Sequence, residues 1–195
     1  MSGDRTNVQT MLDALPQHPE LCNYTDPIAR TAILDVAIWT GDVEMICMLL
    51  SIGMNPNTHR EGHDIPLITA ISSPTENVSE MIRILVGQGA HVNHPGILKT
   101  SAMHAAVAKS SVELIDLLLS LGAEINIQHP PDKCTPLWSA VLWNELEMVS
   151  ALLARGADHR LRNEVDGSSP LDVAKARGSP KMVELLRAIR GDASH

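Results

Sequence analysis

Apolar residues recur along this chain with a period of about 34 positions, far longer than the period of a helix or a strand. In each of five units, an anchoring Leu or Met is followed three residues later by Ala. The anchors are Leu34, Leu67, Met103, Leu137 and Leu171, at spacings of 33, 36, 34 and 34 residues. Self-similarity at such a period is typical of repeat proteins, in which each unit packs against its neighbours.

Within each unit, the apolar positions predict two short helices joined by a turn. In the third unit, Leu114 and Leu118 have helical spacing, while Glu113 remains for solvent. Helices of about eight to ten residues are marginal alone. We therefore expect burial between neighbouring units to stabilise them. The residues predicted to be buried there are Leu118, Leu119, Leu152 and Leu153.

Short motifs recur at fixed places in these units. The first helices begin with Ser101-Ala102-Met103-His104, Thr135-Pro136-Leu137 and Ser169-Pro170-Leu171, and one unit closes with Gly122-Ala123-Glu124-Ile125-Asn126. These segments resemble the Thr-Pro-Leu-His and Gly-Ala-Asp-Val-Asn motifs of the ankyrin repeat. The resemblance implies an all-α solenoid of helix-turn-helix-loop units over about residues 29–190. The five repeats are 29–62, 63–98, 99–132, 133–166 and 167–190.

Some positions depart from the family pattern. The first repeat, with Ala32-Ile33-Leu34-Asp35, lacks the Pro and His of the signature. The second repeat has three extra residues around Ser73-Pro74-Thr75-Glu76, between its helices. The fourth repeat has Arg160 in place of the usual Asn. His104 matches the signature His, which implies an internal hydrogen bond that braces a loop.

Both ends are predicted to cap the stack. Residues 5–15 place four apolar side chains on one helical face: Val8, Met11, Leu12 and Leu15. We therefore predict that residues 1–28 form an N-terminal capping helix and linker. The last predicted helix is more polar than the others, as a terminal repeat requires, and residues 191–195 are predicted to be a tail.

Composition and charge narrow the function. Hydrophobic residues make up 44% of the chain, enough to bury a core. The net charge of −8 argues against a nucleic-acid partner, and no apolar run reaches the roughly 18 residues of a membrane span. The N-terminus lacks the apolar stretch of a signal peptide. The three cysteines are scattered, so we expect a cytoplasmic protein.

The chain carries no recognisable enzyme motif, so no catalytic residue is predicted. The resemblance implies that function lies on the concave face, at the variable pair five and six residues after each anchor. Trp39 and Trp143, two of the three tryptophans, fall in that pair. Each either packs over a gap between helices or forms a contact surface, and the enrichment of Trp at binding hot spots favours contact. The candidate partner-binding residues are Trp39, Thr40, Ser72, Ser73, Lys109, Trp138, Leu142, Trp143 and Arg177.

Histidines and local charge leave further alternatives. Loop histidines lack the spacing of a metal site, so neither a metal nor a cofactor is predicted; they are His59, His63, His94 and His129. Residues 153–190 carry eight basic and five acidic side chains, which form either a solvated surface or a patch for an acidic partner.

The sequence therefore favours a non-enzymatic protein-interaction module, such as an adaptor, an inhibitor or an immunity-type protein. One alternative is a small-molecule-binding or unusual enzymatic protein with a groove lined by its tryptophans. Another is a self-associating scaffold. The sequence leaves open the identity of the protein partner and the oligomeric state.

Overall fold

In this computed structural model, residues 33–57, 64–96, 100–128 and 133–191 are described. Within those ranges the chain forms ten α-helices and no strand, arranged as five successive pairs. The pairs are α1 Ile33–Thr40 with α2 Val43–Ser51, α3 Pro66–Ser72 with α4 Val78–Gly87, α5 Ala102–Ala108 with α6 Val112–Ser120, α7 Pro136–Leu142 with α8 Leu146–Ala154, and α9 Pro170–Ala176 with α10 Pro180–Gly191. The predicted all-α repeat fold is confirmed. The predicted N-terminal cap falls outside the described residues.

The contacts divide the chain into two compact units, Met1–Ala90 and His91–His195. In the first unit, α1 packs against α3, and α2 packs against α4. In the second unit, α5 packs against α7, and α7 packs against α9. Within each unit, the first helices of successive repeats therefore lie side by side.

The core follows the predicted register. All five anchors are buried, and none has more than 8% of its residue surface exposed; they are Leu34, Leu67, Met103, Leu137 and Leu171. The Ala three residues after each anchor is completely buried, at Ala37, Ala70, Ala106, Ala140 and Ala174. A methyl group at this position leaves room for close helix packing, and a larger side chain there would overpack the core.

Two of the four predicted inter-repeat leucines are buried less than expected. Leu118 and Leu152 are fully buried, as predicted. Leu119 and Leu153, the next residues along α6 and α8, are only half-buried, so that part of the prediction is wrong. Successive helical residues point about 100° apart, which places the second leucine of each pair at the edge of the buried stripe.

The Ser and Thr residues at the start of the repeats have a capping role. The hydroxyl oxygens of Ser101, Thr135 and Ser169 accept hydrogen bonds from backbone N–H groups three residues later. At α7 and α9 a Pro follows at the first helical position, where its missing N–H has no intrahelical partner to lose. The signature residues thus fix where each first helix begins.

The three-residue insertion of the second repeat folds back on the turn of the first. A Cβ built on Gly41, which has φ of +69°, would lie 2.9 Å from Cγ2 of Thr75. The side-chain amide of Asn77 donates to the Gly41 carbonyl at 3.0 Å. Only glycine fits this turn without displacing Thr75, and the insertion thereby joins the turns of two repeats in the first unit.

Candidate partner-binding surface

Two tryptophans are exposed at the ends of first helices. Trp39 lies in the last turn of α1 and is 52% exposed, and Trp143 directly follows α7 and is 48% exposed. Trp39 is the first residue of the variable pair in its repeat, and Trp143 is the second. Both rings therefore stand partly in solvent, where a partner can reach them.

Most other members of the variable pairs also reach the surface. Thr40, Ser72, Lys109 and Arg177 are exposed, and Leu142 is half-buried. Ser73 is completely buried. Its hydroxyl donates to the Ala70 carbonyl at 2.8 Å and lies 3.1 Å from the hydroxyl of Thr75 in the insertion. Burial removes Ser73 from the surface that a partner could contact.

Trp138 makes an internal bond. It occupies the signature His position of the fourth repeat, is half-buried, and donates its indole N–H to Oγ of Ser168 at 3.2 Å. His104 makes the equivalent link one repeat earlier, from Nε2 to the carbonyl of Cys134 at 3.1 Å. Trp138 thus replaces a bracing imidazole, which gives it a structural role alongside any contact with a partner.

The bonds of His104 define its tautomer. A carbonyl oxygen only accepts, so Nε2 carries the hydrogen that is donated to Cys134. In the neutral ring Nδ1 then accepts the hydroxyl hydrogen of Ser101, at 2.8 Å. The same hydroxyl oxygen accepts the His104 backbone N–H at 3.3 Å. The internal bond that the family resemblance implied is therefore present.

Asparagine side chains brace successive loops within each unit. In the second unit, Asn93 donates to the Gly122 carbonyl at 3.1 Å and accepts from the Glu124 backbone N–H at 2.9 Å. In the first, Asn57 donates to the Gly89 carbonyl at 2.8 Å. Such cross-loop bonds hold the loop ends in fixed positions.

The turns after the first helices contain residues that the sequence analysis missed. Ser110 and Asn144 have φ of 52° and 61°, in the left-handed region that glycine favours. Oδ1 of Asn144, in the fourth repeat, accepts a hydrogen bond from the hydroxyl of Ser179, in the fifth repeat, at 2.8 Å. The signal was available, since Gly, Asn and Ser are the common residues of such turns.

Two ion pairs stabilise the second unit, one between neighbouring repeats and one within the fourth repeat. Arg155 donates to both carboxylate oxygens of Asp116, at 2.5 and 2.7 Å. The hydrogen bond from Arg155 lowers the pKa of Asp116. Lys133 and Glu164 form a second ion pair. Among the variable residues, Lys109 has a lowered pKa, because it is partly buried.

His91 and His94 lie in a loop of the second unit. The rings of His91 and His94 stack with centroids 6.5 Å apart, and Nδ1 of His94 bonds to the carbonyl of Pro95 at 2.8 Å. His59, His63 and His129 lie outside the described residues. In the described ranges, no group of three or more His, Cys, Asp or Glu side chains is placed to hold a metal ion. No helix there is both long and apolar enough to cross a membrane.

A comparison of the sequence with protein families agrees with this architecture. The family model described as ankyrin repeats, in three copies, matches residues 34–129 and residues 103–193. Together the two matches extend from the first anchor beyond the last helix. Apart from Ile33, the first residue of α1, they cover all five helix pairs and every candidate partner-binding residue.

Proposed function

This chain belongs to the ankyrin-repeat family, and we propose that it is a non-enzymatic module that binds a partner protein through the turn ends of its first helices. Ankyrin repeats generally mediate protein–protein interaction. The single observation that carries the proposal is the exposure of Trp39 and Trp143, at 52% and 48%. An adaptor, an inhibitor or an immunity-type protein would use such a surface in the same way.

The exposed half of each tryptophan is large enough to contribute to affinity. A Trp side chain buries 150–250 Å² when it is covered, so about 100 Å² of each ring remains available. Covering that area is worth about 2–3 kcal/mol by surface-area arithmetic. This magnitude matches the cost of truncating a binding hot spot.

The surface around these rings is preorganised. Trp39 lies within a helix, and the backbone N–H of Trp143 bonds to the Ser139 carbonyl at 3.0 Å. The turns beside the rings are also held: Asn77 donates to the carbonyl of Gly41, two residues after Trp39, and Ser179 donates to Asn144, which follows Trp143. A partner that binds here loses little affinity to the ordering of this chain.

The internal role of Trp138 also favours a protein partner over a small molecule. A pocket between Trp138 and Trp143 would need both rings to turn toward a ligand. The indole N–H of Trp138 is instead bonded to Ser168. We also propose that the chain acts in the cytoplasm, which its three scattered cysteines support.

Quantitative affinity capture tests the proposal. The bait is the full chain, compared with Trp39→Ala, Trp143→Ala and the control Val165→Ala, which truncates an apolar side chain that is 73% exposed in a loop. We expect a protein that the wild type and the control retain and that at least one Trp variant loses about tenfold or more. Binding of the purified partner is then measured by calorimetry.

Two results would contradict the proposal. One is equal capture of every retained protein by all four baits. The other is a large fall in the melting temperature of both Trp variants with binding unchanged, because that would make the rings part of the core.

A further inference from the structure

Three consecutive repeats of the second unit place a cation, a tryptophan and a cation at one equivalent position. Lys109, Trp143 and Arg177 are each the residue that directly follows a first helix. All three side chains are exposed. We call Lys109, Trp143 and Arg177 the basic–aromatic row.

The backbone holds the three members in the same conformation. Their N–H groups donate to carbonyls four residues earlier at 3.0, 3.0 and 2.9 Å, respectively. The next residue in each repeat is left-handed, with φ of 52° at Ser110, 61° at Asn144 and 64° at Gly178. The three side chains therefore leave equivalent turns in equivalent directions.

The packing of the helices fixes the spacing of the row. Helices α5 and α7 are in contact, as are α7 and α9, and packed helices lie 8–10 Å apart. The Asn144–Ser179 hydrogen bond, 2.8 Å long, ties the turns that carry Trp143 and Arg177. Lys109 and Arg177 therefore lie on either side of Trp143, about 20 Å from each other.

The basic–aromatic row is positively charged, whereas the protein as a whole is negatively charged. The chain as a whole carries a net charge of −8. In the first unit, the residues six positions after the anchors, which correspond to the row in sequence, are the neutral Thr40 and Ser73. The nearest acidic side chain along the chain from Trp143 is the half-buried Glu145, at the start of α8. Cations at this position therefore occur in the second unit and not in the first.

We propose that the basic–aromatic row binds an extended acidic segment of the partner protein, with one apolar side chain on Trp143 and carboxylates on Lys109 and Arg177. This inference rests on the function proposed above. In a polyproline-II conformation, an extended chain rises about 3.1 Å per residue with three residues per turn, so side chains at positions i, i+3 and i+6 lie on one face and span about 19 Å. The preferred segment therefore has an acid, two residues, an apolar residue, two residues and a second acid. The charges also orient the segment and speed its association.

A defined peptide tests this inference on the full chain. The probe is Gly-Glu-Ser-Thr-Leu-Ser-Thr-Glu-Gly, compared with the same peptide carrying Gln for both Glu residues. Binding is followed by chemical-shift changes in two-dimensional NMR spectra. We expect shifts at the Trp143 indole and at the amides of Lys109 and Arg177. We also expect the acidic peptide to bind about tenfold more tightly than the Gln peptide, with the difference shrinking as salt is added.

Charge reversal supplies the matched control. The double variant Lys109→Glu with Arg177→Glu should lose the preference for the acidic peptide and bind a peptide with Lys in place of Glu. The double variant Arg160→Glu with Arg187→Glu makes the same change of charge at two other exposed sites, and it should bind as the wild type does. Two results would overturn the inference. One is an equal loss of binding to the acidic peptide in both double variants. The other is binding of the Gln peptide by the wild type as tight as that of the acidic peptide.

Other outcomes separate this inference from the proposed function. Tighter binding of a single-stranded DNA oligonucleotide or of phosphatidylserine vesicles at the same three residues would also overturn it. A captured protein that Trp143→Ala loses and that Lys109→Glu with Arg177→Glu retains would refute the acidic segment while leaving the proposed function intact. Capture that Trp39→Ala and Trp143→Ala leave unchanged would refute the proposed function itself.

Discussion

The imidazole of His104 donates from Nε2 to the backbone carbonyl of Cys134, which lies in the next repeat, at 3.1 Å. The side chain is only 8% exposed, so water cannot readily replace the lost partner in a truncated variant. We predict that His104→Ala lowers the free energy of unfolding by about 1–3 kcal/mol. Urea denaturation measures the change. The exposed His94→Ala is the control and should cost about 0.5 kcal/mol or less; equal costs would mean that the bond contributes nothing.

Neighbouring leucines on α8 offer a sharper test of the register. Leu152 is fully buried, whereas Leu153 is half-buried. Leu152→Ala should cost about 2–5 kcal/mol, because it removes apolar contacts and leaves a cavity. Leu153→Ala should cost clearly less, since its site opens toward solvent. Equilibrium unfolding in urea compares the two variants. A larger loss of unfolding free energy in Leu153→Ala would mean that the buried face of α8 is wrongly assigned.

The pattern of Leu34 and Ala37 shows why the fold was predictable from the sequence. An apolar anchor and an Ala three residues later recur in every repeat, and both are buried each time. The periodic signal therefore reports packing directly. The depth of each second-helix leucine was less predictable, because it depends on rotation of the helix by fractions of a turn.

The surface was predictable only as a set of positions. The sequence placed Trp39 and Trp143 in the variable pairs, and the structure shows both rings exposed. It could not show that Ser73 is buried, because the insertion that covers it has no counterpart in the other repeats. Nor did it show that the indole of Trp138 bonds to Ser168, since that bond depends on the position of the following repeat.

Asp172 predicts an acid limit to stability. Hydrogen bonds from the hydroxyl and backbone N–H of Ser169, with the charge of Arg162 as a smaller cause, lower the pKa of this carboxyl. A pKa lower in the folded than in the unfolded chain stabilises the fold above the ordinary Asp pKa of about 3.9. That contribution is lost as the pH falls through the lower, folded-state pKa.

The test compares urea midpoints between pH 6 and pH 2.5. We expect the midpoint of Asp172→Asn to fall less over this range than that of the wild type. Glu147→Gln, which removes an exposed carboxyl on α8, is the control. A wild-type midpoint that falls no more steeply than that of Asp172→Asn would show that the Ser169 bonds do not favour the ionised form.

The first repeat exposes apolar side chains that we expect a cap to cover. In the last repeat, whose first helix packs against the preceding one, Val173 is 7% exposed. Val36, at the same position in the first repeat, is 39% exposed, and Met48 on α2 is 38% exposed. The first repeat thus carries an apolar side where the last repeat contacts the repeat before it. The sequence predicts that residues 5–15 cover it.

Substitution of the predicted cap tests that prediction. Leu12→Asp with Leu15→Asp should lower the melting temperature and raise the average mass in light scattering, because the apolar end of the first repeat then becomes a site of association. Thr10→Asp adds a charge on the opposite face of the same predicted helix and should change neither quantity. If the double variant behaves as Thr10→Asp does, residues 5–15 do not cap the stack.

The fourth repeat contains a bracing and an exposed tryptophan five residues apart, Trp138 and Trp143, which predicts opposite effects of truncation. Trp138→Ala removes the indole bond to Ser168 together with buried ring contacts, so it should lower the free energy of unfolding by about 2 kcal/mol or more. Trp143→Ala removes a ring that is 48% exposed. It should change stability by about 1 kcal/mol or less and weaken partner binding by about 1–3 kcal/mol. Urea denaturation and calorimetric titration with the captured partner measure the two effects separately. A reversal, with Trp143→Ala the more destabilising of the two and binding unaffected, would assign Trp143 to the core of the repeat.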